Sequence, residues 1–80
     1  MFEDLNNELS NYLKFMRFKH KLSQEDMANL LNVTRNTYSI WEKKPTNLSL
    51  ETLIKIGDSV GEDICIFFAD YVAKSNKDNL

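Results

Sequence analysis

The sequence has 80 residues, of which 42% are hydrophobic and 28% charged, a composition typical of one globular domain, which we place at residues 1–80. Its 12 acidic residues outnumber its 10 lysines and arginines, and one cysteine and one histidine exclude an internal disulfide and the usual structural zinc site. The lack of a long apolar stretch and the acidic N-terminus argue against a membrane span and a secretory signal, so we expect a cytoplasmic protein with no cofactor.

The first two predicted helices follow from apolar spacing and capping residues. The first spans roughly residues 3–19, because apolar residues recur there every three or four positions. They are Leu5, Leu9, Leu13 and Met16. Ser23 is a good N-cap for a second helix, which Asn32 can end because asparagine tolerates a left-handed backbone. The predicted buried face of the second helix consists of Met27, Ala28, Leu30 and Leu31.

Two further helices are predicted around a short loop. Thr34 is the N-cap of a third helix over residues 35–43, and residues 45–47 form the loop. Ser49 caps a fourth helix, which Gly61 ends. The buried residues predicted for this helix are Leu50, Leu53, Ile54 and Val60.

A fifth helix completes the predicted fold. Asp63 caps it, it begins at Ile64, and with its tail it occupies residues 64–80. No segment of the chain alternates with the two-residue period of a strand. The predicted fold class is therefore all-α.

The connection between the second and third helices is very short. Asn32 and Val33 turn the chain, and Thr34 already caps the next helix. Two helices joined so tightly cannot pack antiparallel and must cross steeply, which is the helix-turn-helix geometry. The small side chain of Ala28 suits the close approach of two such helices.

These features resemble the Cro/cI-type (XRE) helix-turn-helix family, which includes phage repressors. The resemblance lies in SQEDMANLLNVTRNTYSIWEKK and the following LSLETLIKIGDSVGEDI, and it covers residues 9–68 with the motif proper at 24–43. The residues that match the family pattern are Arg17, Ser23-Gln24-Glu25, Ala28, Val33-Thr34-Arg35, Glu42 and Ser49-Leu50-Glu51-Thr52-Leu53. The implied fold is a compact five-helix, lambda-repressor-like domain.

The resemblance implies a DNA-contacting surface around the third helix, which would enter the major groove with its N-terminal end at the base edges. The implied base contacts are Arg35, Asn36, Thr37, Ser39 and Ile40. Arginine presents a two-pronged donor to guanine and asparagine pairs with adenine, whereas Ile40 could touch only a thymine methyl. The implied contacts to the DNA backbone are Ser23, Gln24, Tyr38, Lys43 and Lys44. The alternative interpretation is that Arg35 and Asn36 are solvated residues at a helix start.

The resemblance also implies a structural ion pair between Arg17, late in the first helix, and Glu42, at the end of the third. Such a pair would fix the third helix against the rest of the domain. The alternative is two surface charges that contribute almost nothing to stability.

The fifth helix is apolar almost all round, in the segment ICIFFADYVA at residues 64–73. A helix of this kind requires burial on more than one side, so we expect a two-fold homodimer interface there. The predicted interface residues are Ile66, Phe67, Phe68, Tyr71 and Val72. The alternatives are that the extended first helix covers this surface within one chain, or that the dimer forms through the first helix.

The predicted function is sequence-specific transcriptional regulation, with a homodimer bound to a two-fold operator in double-stranded DNA. Phage Cro-like repressors, restriction–modification controllers and antitoxins are small proteins of this kind, and the sequence does not choose among them; a toxin or the polymerase is a candidate protein partner. The alternative is a protein-interaction module without DNA binding, such as an antirepressor or a toxin-neutralising subunit, which the acidic flanks favour. An enzyme is not expected, because the sequence offers no nucleophile–base pair, carboxylate dyad or metal cluster.

Overall fold

Helices dominate the computed structural model, which describes the backbone of residues 2–78 and the side chains of residues 4–75. The elements are α1 at Phe2–Lys19, α2 at Gln24–Leu31, α3 at Arg35–Lys43, a 3-10 helix at Pro45–Asn47, α4 at Leu50–Asp58 and α5 at Cys65–Asp78. No strand occurs over this backbone, and the all-α fold class is confirmed. None of the described helices is both long and apolar enough to cross a membrane.

The N-caps predicted for α2, α3 and α4 are present. The Ser23 hydroxyl accepts a hydrogen bond from the Asp26 backbone N–H at 3.0 Å, and the Asp26 carboxylate accepts one from the Ser23 N–H at 2.9 Å. Thr34 and Ser49 cap α3 and α4. Each hydroxyl accepts a hydrogen bond from the backbone N–H of the residue three positions later in the chain. These caps satisfy N–H groups that the first turn of a helix leaves without partners.

Three boundaries differ slightly from the prediction. Helix α4 ends at Asp58, and Gly61 lies beyond it in a left-handed turn with φ of 73°. Helix α5 begins at Cys65 rather than one residue earlier, because the Ile66 and Phe67 N–H groups bond to carbonyls only three residues before them. The Asp63 carboxylate accepts from the Cys65 N–H at 3.0 Å, as a cap does. The segment predicted as a loop after α3 forms one 3-10 turn.

One core lies where the helices meet. Its buried hydrophobic residues are Leu9, Leu13, Met16, Met27, Ala28, Tyr38, Leu53, Ile56 and Ile64. The prediction was wrong for Leu30, Leu50 and Ile54, which are exposed. Periodicity identifies an apolar stripe but not its centre, and on α4 the stripe is centred on Leu53 and Ile56.

Gly57 lies inside α4 because the chain passes very close to it. A Cβ atom at this position would stand 2.7 Å from the carbonyl oxygen of Glu62. The Glu62 N–H in turn donates to the Gly57 carbonyl at 2.9 Å. The glycine therefore allows the turn before α5 to pack directly on the backbone of α4.

Candidate nucleic-acid interface

The turn between α2 and α3 is built from a left-handed residue. Asn32 ends α2 with φ of 59° and ψ of 44°, as predicted, and the Val33 N–H donates to the Ala28 carbonyl at 2.9 Å. This arrangement satisfies carbonyls at the end of α2 and redirects the chain at once into the Thr34 cap. Ala28 is buried at the approach of the two helices.

A buried ion pair fixes α3 against α1. The guanidinium of Arg17 donates from Nε to Glu42 Oε2 at 3.0 Å and from Nη2 to Oε1 at 2.9 Å. Its third nitrogen donates to the Leu22 carbonyl at 3.0 Å, and the Glu42 residue is only 1% exposed. The pair implied by the resemblance is thus present, and its two-pronged geometry fixes the orientation of α3 as well as its distance from α1.

The ion pair keeps Glu42 ionised despite burial. Burial acts to raise the pKa of Glu42, but the hydrogen bonds from Arg17 and other neighbours outweigh it and hold the pKa below the ordinary glutamate value. The hydrogen bond to Glu42 likewise raises the pKa of Arg17. Both groups remain charged at neutral pH, so removal of either partner would leave a buried charge without a counterion.

Tyr38 does not lie where a DNA backbone contact requires it. The whole residue is buried, and within the described part of the chain its hydroxyl has no hydrogen-bond partner of good geometry. Burial and the nearby Glu42 carboxylate raise the pKa of this hydroxyl, so it stays protonated. The predicted phosphate contact of Tyr38 is corrected, because its hydroxyl faces the Arg17–Glu42 pair and not the surface.

The residues predicted to contact bases follow one another along the first two turns of α3. Arg35, Asn36 and Ile40 are exposed, and Ile40 is 56% exposed despite its apolar side chain. Thr37 and Ser39 are half-buried, and the Thr37 hydroxyl accepts from Thr34 at 2.9 Å. Among the described side chains, neither Arg35 nor Asn36 has a hydrogen-bond partner, so both are available to a ligand.

The other residues predicted to contact the DNA backbone fall into two groups. Lys43 and Lys44 are exposed at the C-terminal end of α3. Ser23 is exposed but its hydroxyl serves the cap of α2, and the half-buried Gln24 turns its amide towards Glu42, with Nε2 3.4 Å from Oε1. The lysines are therefore free to contact a phosphate, whereas the amide of Gln24 must turn away from Glu42 before it can donate a hydrogen bond to one.

Two residues near the start of α1, which the sequence reasoning missed, contact the end of α3. The Ser10 hydroxyl donates to the Glu42 carbonyl at 2.6 Å, and Asn6 Nδ2 donates to the Lys43 carbonyl at 3.2 Å. A signal was available, because Asn6, Ser10 and Arg17 are spaced four and seven residues apart and so share one face of α1. The sequence did not show which element this polar face meets.

The predicted interface residues on α5 do not form a single surface. Phe67 packs on Tyr12 of α1, with ring centroids 5.0 Å apart, and makes an edge contact with Phe68 at 5.3 Å. Ile66 is 66% exposed and Val72 is 54% exposed. Ile66 precedes Phe68 by two positions, which is roughly 200° around a helix, so these two side chains leave α5 on opposite sides.

Comparison with known proteins supports the interpretation of this geometry. A family described as helix-turn-helix matches residues 13–65 of the chain. An uncharacterized HTH-type transcriptional regulator from Methanocaldococcus jannaschii is 40% identical over 65 residues, which cover 78% of this chain and 98% of that protein. No solved structure gave a significant match. The chain belongs to the Cro/cI-type (XRE) helix-turn-helix family.

Proposed function

We propose that the protein is a sequence-specific DNA-binding transcriptional regulator whose α3 enters the major groove as a recognition helix. The observation that carries this proposal is that Arg35 and Asn36 are exposed, without hydrogen-bond partners among the described side chains, on a helix that a buried ion pair fixes to the rest of the domain. Base recognition requires donors that are free to bond and a helix that is held in a fixed position. The relative named as a transcriptional regulator is consistent with this function.

The distribution of charge also supports an anionic partner. Residues 11–44 hold seven lysines and arginines against three acidic residues, and one of those three, Glu42, is neutralised internally by Arg17. The acidic excess lies in the flanking segments at residues 1–10 and 45–80. The overall charge of −2 therefore does not describe the surface around the recognition helix.

Replacement of Lys43 by glutamine is expected to weaken binding to all DNA sequences by a similar factor. Loss of one phosphate contact should reduce the slope of log K against log salt by about one unit. Titrations at several salt concentrations measure this slope. The control is Lys55→Gln, which removes an equal charge from the exposed face of α4 and should leave the salt slope unchanged. Equal slopes for wild type and Lys43→Gln would contradict a phosphate contact at Lys43.

We also propose that the regulator binds a two-fold operator as a homodimer formed through α5. The residues that can form one surface are Phe68, Tyr71 and Val72. They share a side of the helix because Tyr71 and Val72 follow Phe68 by three and four residues. Val72 is exposed, and Phe68 and Tyr71 are half-buried. A second copy would cover this apolar surface and add buried area to a small domain.

Replacement of Val72 by aspartate is expected to convert the dimer to a monomer, because a charge would be buried without a partner in the interface. Sedimentation equilibrium at several protein concentrations measures the association constant. Ile66→Asp is the matched control, since Ile66 lies on another side of α5 and should leave dimerisation intact. A monomeric wild-type protein, or equal weakening by both substitutions, would contradict this interface.

A second candidate function is a protein-interaction module, such as an antirepressor or a toxin-neutralising subunit. It is favoured by Ile40, which presents an exposed apolar side chain in the middle of the proposed reading surface. On this alternative α3 would contact a protein partner, such as a toxin. The Lys43→Gln titration separates the two functions, because an interaction module shows no specific DNA binding from which a phosphate contact could be lost.

A further inference from the structure

Side chains of α1 cap the C-terminal end of α3. The last carbonyls of a helix have no partners within it, and a left-handed residue commonly supplies the missing donors. Lys44, which follows α3, has φ of −128° and does not adopt that conformation. The hydroxyl of Ser10 donates to the Glu42 carbonyl at 2.6 Å, and the amide of Asn6 donates to the Lys43 carbonyl at 3.2 Å.

The same Asn6 side chain also holds the segment that follows α3. Its Oδ1 atom accepts from the Thr46 backbone N–H at 3.2 Å and from the Thr46 hydroxyl at 2.8 Å. One half-buried amide therefore bridges the end of α3 and the 3-10 turn at Pro45–Asn47. Lys43 is the first of these two attachment points, and Lys44 lies between it and Thr46.

These contacts are made by residues that precede residues 13–65, the segment that the helix-turn-helix family matched in the comparison. The match begins at residue 13, whereas Asn6 and Ser10 belong to the preceding turns of α1. They lie on the same face of α1 as Arg17, which is about two turns further along α1 and forms the ion pair with Glu42. The contacts from Asn6 and Ser10 thus attach to α1 not only the end of α3 but also the segment that follows it, as far as Thr46.

We propose that Asn6 and Ser10 are positioning residues for DNA binding, which set the direction in which Lys43 and Lys44 leave the end of the recognition helix. This inference rests on the proposed function. Without the amide of Asn6, the Lys43 carbonyl and the Thr46 N–H lose their described partners, and the segment from Lys43 to Thr46 loses its attachment to α1. The lysines would then lose their fixed position relative to a phosphate, although their charge is unchanged.

The test compares Asn6→Ala with Asn7→Ala, a substitution of the same residue type at the adjacent exposed position. Amide hydrogen exchange without DNA should show the Thr46 N–H exchanging about tenfold faster in Asn6→Ala, while core amides such as that of Leu13 keep their protection. On a DNA site selected by the wild-type protein, Asn6→Ala should raise Kd by about fivefold or more, with a smaller salt slope and the same base preference. Asn7→Ala should match the wild type in both experiments.

Three results would overturn the proposal. The first is wild-type Kd and salt slope in Asn6→Ala. The second is faster exchange at Thr46 and in the core by the same factor, which would show a loss of global stability instead of a local release. The third is a wild-type protein that selects no DNA site, which would overturn this proposal together with the proposed function on which it rests. This result is distinguished from the first two because the wild type and Asn7→Ala then fail alike.

Discussion

Replacement of Glu42 by alanine is expected to lower the free energy of unfolding by about 3–5 kcal/mol, because it leaves the buried guanidinium of Arg17 without its counterion. It also removes the acceptor on which two of the Arg17 hydrogen bonds end, at 2.9 and 3.0 Å. For a domain of this size the loss corresponds to a fall in Tm of roughly 12 °C or more. Thermal melting followed by circular dichroism measures it.

Glu51→Ala is the matched control for this substitution. Glu51 pairs with Lys55 on the surface of α4, where both side chains are exposed, and such pairs contribute at most about 1 kcal/mol. A small fall in Tm for Glu51→Ala and a large fall for Glu42→Ala would show that the loss of stability comes from the buried pair. Equal melting temperatures for wild type and Glu42→Ala would refute the structural role of the pair.

The effect of Glu42 should also depend on pH. Its pKa is lower in the folded protein than the value near 4.3 of an unfolded chain, so the ionised group stabilises the fold above that value. This stabilisation is lost as the pH falls through the depressed folded-state pKa. The stability difference between wild type and Glu42→Ala should therefore shrink in acid, and urea unfolding at several pH values would reveal the trend.

Replacement of Arg35 by alanine is expected to remove the preference for one base pair of the bound site. A two-pronged arginine contact discriminates by roughly 1–3 kcal/mol, so Kd for the preferred site should rise by about ten- to a hundredfold. The free energy of unfolding should barely change, because Arg35 is exposed and its side chain has no hydrogen-bond partner among the described residues. Titrations with sites that differ at single base pairs measure the lost preference.

Arg35→Lys distinguishes base recognition from simple attraction of charge. Lysine keeps the positive charge but lacks the planar, two-pronged donor, so this variant should retain the wild-type salt slope and still lose the base preference. If Arg35→Ala continues to prefer the wild-type sequence at every position, Arg35 does not read a base.

The parts of the fold that follow from local chemistry were predictable from the sequence. Each of three helices is capped by a hydroxyl that accepts from the N–H three residues later, an interaction that depends only on neighbours in the chain. The capping residues are Ser23, Thr34 and Ser49. The left-handed backbone of Asn32 is local in the same sense. The Arg17–Glu42 pair spans 25 residues, and only the family resemblance implied it before the structure showed it.

The parts that depend on how helices meet were not predictable. The exposure of Leu50 beside the burial of Ile56 reflects the rotation of α4 against the core, which an apolar stripe does not define. The inward hydroxyl of Tyr38 depends on the Arg17–Glu42 pair beneath α3, and the contact from Asn6 to Thr46 depends on where α1 passes the end of α3. Each involves residues distant in sequence, so no local pattern encodes it.

Selection of bound sites from random double-stranded DNA, at a stated salt concentration, tests the proposal of sequence-specific DNA binding most directly. The proposal predicts an enriched two-fold motif whose half-sites are centred about 10–10.5 base pairs apart or a multiple of that spacing. It also predicts that Arg35→Ala enriches a motif relaxed at one position of each half-site. Recovery of no enriched motif by the wild-type protein, with its fold intact, would contradict the proposal and favour the protein-interaction module.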